Sequence, residues 1–157
     1  MKNILKYFNF RSKSFESEFE KLTKQLVEVC FEYVKYDSKN VDEIYIYCST
    51  ECSTIWFDAF FRLNGSIVKR HKVGDKYEIT DQKQLSLVKV SNKIIQQLID
   101  NFKKYSKEVP TEIKIVYTID GGKFDCNLTY ETIWENNPDK DPHMICDEWM
   151  ELQKTES

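Results

Sequence analysis

Glycine is scarce in this 157-residue chain, with four in all. Gly65, Gly74, Gly121 and Gly122 each fall at a break in the pattern. That excludes a phosphate-cradling loop or a dinucleotide fingerprint, which need clustered glycines at a helix start. Histidine is scarcer still, with two. His71 and His143 stand far apart in the chain, and no spacing pairs them for acid–base work. No Gly-x-Ser-x-Gly elbow occurs. No apolar stretch approaches the ~20 residues of a membrane span. Lys6 interrupts the apolar run near the start, so no signal-peptide core is expected and a cytosolic location is the default. An excess of base is also missing. A net charge of −3 argues against a general nucleic-acid binder. The five cysteines are odd in number and include no Cys-x-x-Cys. Free thiols in a reducing compartment are therefore expected, with no zinc site. Cys48 and Cys52 flank a turn signal and are close enough in sequence to approach each other.

What is present suits one domain. The hydrophobic fraction is 41% and aromatics make up 14%, enough for a core within residues 14–153, with 1–13 as a flexible lead. Phe15, Phe19, Leu22, Leu26, Val29, Tyr33 and Tyr36 recur at helical spacing and predict a helix over 14–36, capped by Ser14. Ile44 and Ile46 alternate with Tyr45 and Tyr47, a strand pattern. Ile55, Phe57, Ala59 and Phe61 likewise alternate with Trp56, Asp58, Phe60 and Arg62. Asn64-Gly65 between two such runs is a hairpin signal, since both residues tolerate positive φ. Ile67 to Val73 continue as a third strand, with His71 on it. A second helix is predicted over 82–106, with Asp81 as its cap and Leu85, Val88, Ile95, Leu98, Ile99 and Phe102 inside. Pro110 then forces an extended chain. Residues 113–119 and 124–130 form a hairpin across Asp120-Gly121-Gly122, and a short helix follows over 144–153. The predicted order is α-βββ-α-ββ-α, an α+β fold with an antiparallel sheet and helices on one face. Tyr45, Tyr47, Trp56 and Phe60 share the sheet's other face. Either a helix covers that face or a partner does.

Two patterns near the C-terminus bear on chemistry. Asn137, Asp139, Asp141, His143 and Glu148 match positions 1, 3, 5, 7 and 12 of a calcium loop, but Pro142 stands where glycine must bend the chain. No metal or cofactor is expected. From Glu131 to Ser157, eight acids oppose two bases, a net −6 that suits a basic protein partner and repels nucleic acid.

One segment carries a resemblance. Pro110-Thr111-Glu112-Ile113-Lys114-Ile115 leads to Asp120-Gly121-Gly122-Lys123-Phe124-Asp125 and ends in Leu128-Thr129-Tyr130-Glu131, with Trp149 in the last helix. With the element order, over about residues 15–152, this resembles the YezG-like antitoxin family. The resemblance implies a non-catalytic immunity protein that binds and neutralises a cognate toxin, commonly a secreted nuclease, inside the producing cell. In that setting the acidic segment occupies a basic nuclease surface. Trp134, Glu135, Asp139, Asp141, Asp147, Glu148 and Trp149 become the candidate partner-binding residues, the tryptophans as anchors. No direct nucleic acid and no membrane is expected as a partner. Two alternatives stand beside this reading: a small hydrolase or ribonuclease using His71 or His143, and a structural protein that self-associates through the aromatic sheet face.

Overall fold

The computed structural model describes the backbone of residues 2–155 and, from Ser14 onward, their side chains. Three helices, α1 (Lys2–Tyr33), α2 (Asp81–Lys104) and α3 (Pro142–Thr155), pack on one sheet. Its strands are β1 (Val41–Ser49), β2 (Trp56–Leu63), β3 (Ser66–Lys69), β4 (Glu112–Thr118) and β5 (Lys123–Thr129). The element order is the expected α-βββ-α-ββ-α. The spatial order is β3-β2-β1-β4-β5. The meander and the hairpin thus join through β1 and β4, which pair antiparallel from Glu43 with Thr118 to Ser49 with Glu112.

Alternation decides the two faces. Ile44, Ile46, Cys48, Phe57, Ala59, Phe61, Ile113 and Ile115 point toward α1 and α2 and form the main core with Leu22, Leu26, Cys30, Leu87, Ile95 and Leu98. Tyr45, Tyr47 and Phe60 point the other way, where Cys146, Trp149 and Met150 of α3 cover them. Helices therefore lie on both faces, not one. The aromatic face is sealed from within the chain, which removes the expected route to self-association.

Turn chemistry places the strands. Asn64 (φ 48°) and Gly65 (φ 86°) both take the left-handed region, the requirement of a two-residue hairpin whose twist matches its strands. Leu63 and Ser66 flank that turn. β3 is shorter than expected. After Lys69 the chain coils into a 3-10 turn, Arg70–Lys72, so His71 is not on a strand.

The helix predictions need four corrections. α1 begins before Ser14, whose hydroxyl meets the Tyr105 hydroxyl at 2.5 Å instead of capping. The expected flexible lead over 1–13 falls on side chains outside the described residues. α1 ends at Tyr33, and Lys35 and Tyr36 adopt positive φ, which leaves Tyr36 exposed. At α2 the cap is Thr80, whose hydroxyl accepts from the Lys83 N–H at 3.0 Å. Ile95, Leu98 and Phe102 are buried as expected and are joined by Leu87, Ser91 and Ile94, whereas Leu85 lies outside at 70% exposure.

Candidate functional site

The acidic segment is held by one carboxylate. Glu51, in the short 3-10 turn between β1 and β2, is 3% exposed. Its oxygens accept main-chain N–H bonds from Ile133 (2.9 Å), Trp134 (3.2 Å) and Glu135 (3.1 Å). The Trp134 indole N–H donates to Ser49 Oγ at 3.0 Å. Hydrogen bonds to the charged form offset the cost of burying it. Beside this anchor, Glu135 pushes the exposed Cys52 thiol upward from its ordinary range by hydrogen bonding to it. Cys52 and the buried Cys48 are both free thiols.

From that anchor the loop runs to α3. The Asp139 N–H donates to Asn137 Oδ1, and Asp141 caps α3 by accepting the Met144 N–H at 2.8 Å. Lys140 pairs with Glu148 at 2.8 Å. Asp147 touches Lys69 at 3.8 Å and His143 Nδ1 at 3.5 Å. Members of the calcium register are thus engaged as a turn, a cap and ion pairs. Glu131, Glu135, Asp139 and Asp141 are exposed and make no ion pair among the described residues.

The candidate residues separate into three groups. Glu135, Asp139, Asp141 and Glu148 present their carboxylates at the surface, and Asp147 is half-buried. Trp134 is half-buried and its indole N–H is already committed. Trp149 is the correction. It is 8% exposed and packs against Phe60 (5.1 Å), Tyr45 (5.7 Å) and the Lys114 ammonium (5.4 Å). It belongs to the protein's own core and offers a partner no surface.

A second polar assembly lies beyond the reach of sequence spacing. His71 and His143 line one cleft of about 410 Å³ with Asp58, Lys69, Arg70, Asn92 and Asp147. Arg70 Nε donates to Asp58 Oδ1 at 2.6 Å. His143 stands edge-on to Trp56 with ring centres 6.0 Å apart. Residues from β2, the 3-10 turn, α2 and α3 meet here only because α3 folds back across the sheet.

Two other carboxylate systems, one buried and one half-buried, are structural. The Tyr47 hydroxyl donates to Glu112 at 2.6 Å in the interior, and burial first, then Glu112, raises the tyrosine pKa strongly. Asp37 accepts from the Tyr77 hydroxyl at 2.7 Å and from Asn40. Those bonds hold its carboxyl well below the usual carboxylate range. No protein-family model matches the chain, and no curated protein matches it.

Proposed function

We propose that this chain is an immunity-type protein, not itself a catalyst, that binds and neutralises a cognate protein toxin with a basic, nuclease-like surface. The observation that carries the reading is the anchored acidic loop. Glu131, Glu135, Asp139 and Asp141 are exposed and make no ion pair among the described residues, while Glu51 and Ser49 hold the loop's backbone and indole in one arrangement. A preformed charged surface gives up less freedom on binding and steers an oppositely charged partner. The resemblance to YezG-like antitoxins supports the same class of partner.

The test pairs the chain with the protein encoded beside it. Equimolar chain abolishes that protein's nuclease activity, and a variant with Asp139→Asn, Asp141→Asn, Asp147→Asn and Glu148→Gln binds it more weakly and with a shallower salt dependence. Unchanged affinity at low salt overturns the role of the acidic segment.

The shared cleft of His71 and His143 favours a second reading, a histidine-dependent hydrolase. Ribonuclease activity of the purified chain that is lost in His71→Ala or His143→Ala identifies that alternative.

A further inference from the structure

The sheet ends in an open strand. β5 is last in the order β3-β2-β1-β4-β5. It pairs with β4 without a break, from Lys123 opposite Thr118 to Thr129 opposite Glu112. None of its seven residues is buried. Natural edge strands are commonly short, bulged or interrupted by proline, which prevents unwanted pairing. β5 has none of these features. Its two charges, Lys123 and Asp125, are opposite in sign and cancel.

The direction of each main-chain group on β5 follows from its neighbours. In a strand, the N–H and C=O of one residue point to one side and those of the next residue to the other. The Asp42 C=O accepts the Ile119 N–H at 2.9 Å, so Asp42 faces β4. Ile44, Ile46 and Cys48 do the same, and their partners Tyr117, Ile115 and Ile113 face back. Glu112, Lys114, Val116 and Thr118 therefore face β5, where Thr129, Asn127, Asp125 and Lys123 meet them. The Thr129 C=O, which accepts the Thr111 N–H at 2.7 Å, has that direction. Phe124, Cys126 and Leu128 thus turn their N–H and C=O outward, where no strand of the described residues lies.

Those three residues also share a side-chain face. They stand opposite Tyr117, Ile115 and Ile113, on the side of the sheet that α1 and α2 cover. Phe124 is 36% exposed there. The other face of β5 carries Lys123, Asp125, Asn127 and Thr129.

We propose that β5 pairs antiparallel with β5 of a second copy of this chain, centred on Cys126, so that the two sheets become one. No other antiparallel register lets all three outward residues of each strand exchange bonds. Cys126 meets its own copy, and Phe124 meets Leu128 of the second copy, twice by symmetry. Six main-chain hydrogen bonds result. The side chains are self-complementary in the same register. Leu128 of the second copy lies beside the exposed Phe124 ring. Asp125 stands opposite Asn127 of the second copy, an acceptor facing an amide donor, and Lys123 stands opposite Thr129. No like charges are directly opposed. Such an added strand draws its affinity from main-chain bonds over a small area, so the dimer forms with rising concentration. The pairing goes beyond the toxin-binding reading and uses none of the carboxylates of the acidic loop.

Sedimentation equilibrium of the full chain from about 1 µM to about 1 mM tests the pairing. The mass is expected to rise from monomer to dimer, with slowed hydrogen exchange at the Phe124, Cys126 and Leu128 amides in the dimer. Phe124→Pro removes an outward N–H, which an edge strand tolerates. It abolishes the dimer without uncovering the aromatic face beneath α3. Asn127→Asp sets carboxylate against carboxylate twice and weakens the dimer about tenfold. Adding Asp125→Asn to that variant exchanges the two groups and restores the affinity. Asn127 is exposed, so this pair decides the matter should Phe124→Pro not fold. The proposal falls if the mass stays that of the monomer throughout, if the dimer survives in folded Phe124→Pro, or if the double variant dimerises no better than Asn127→Asp alone. A chain that stays monomeric while a partner protein protects the three amides gives the edge to a foreign strand, and overturns self-pairing.

Discussion

At position 149 the indole ring sits among Phe60, Tyr45 and the Lys114 ammonium. Removing it leaves a cavity that the sheet cannot collapse to fill. Trp149→Ala is expected to cost about 3–5 kcal/mol, a fall in melting temperature on the order of 10 °C, readable by circular dichroism. A tryptophan that served only as a partner anchor would leave the melting temperature unchanged. Asp37 makes a prediction about acid. Its folded-state pKa is depressed, chiefly by the Tyr77 hydroxyl and then by Asn40. Its stabilisation is therefore complete above the ordinary carboxylate range and disappears as pH falls toward the folded value. In urea unfolding, Asp37→Asn should lower the midpoint at neutral pH. The gap to the unaltered chain should close below about pH 4. A gap that persists undiminished at lower pH assigns the effect to the side chain's shape rather than its charge.

At the scale of elements, α3 has one task that sequence periodicity could not assign. Its buried residues, Cys146, Trp149 and Met150, cover the aromatic face of β1 and β2. Removing residues 139–157 uncovers Tyr45, Tyr47 and Phe60 together. The truncated chain is expected to self-associate, with a light-scattering mass at least about twice the monomer's, because a bare aromatic patch seeks cover. A monomeric, folded product would show that the face needs no lid. Much of the rest was legible. The alternation in β1 and β2 separated the faces residue by residue, and Asn64-Gly65 placed the hairpin. The failures have local causes. Leu85 fits an apolar stripe by type, yet the buried face of α2 runs through Leu87, Ser91, Ile94 and Leu98, and Leu85 stands on the other side of the helix. Asp81 and Thr80 are both good cap residues, and only the backbone geometry chooses Thr80.

For the whole molecule, the hidden information lay in contacts between distant segments. Glu51 bonds to residues more than eighty positions away, and a polar residue in a predicted turn carries no sign of burial. His71 and His143 share a cleft only because α3 returns across the sheet. The charge of the tail, in contrast, was readable from composition, since carboxylates in a polar loop stay at the surface unless something neutralises them. Architecture could be read from alternation and turns; the site could be read only as charge, not as shape.

The grip of Glu51 falls on main-chain N–H groups, which every residue except proline carries. Around the anchor, the committed side chains among the described residues are the Trp134 indole and the Glu135 carboxylate, which is bonded to Cys52. The neighbouring letters of this loop can therefore be rewritten while the loop keeps its seat. A lineage pressed to follow a changing adversary could exchange carboxylates here for other side chains without renegotiating the fold beneath them.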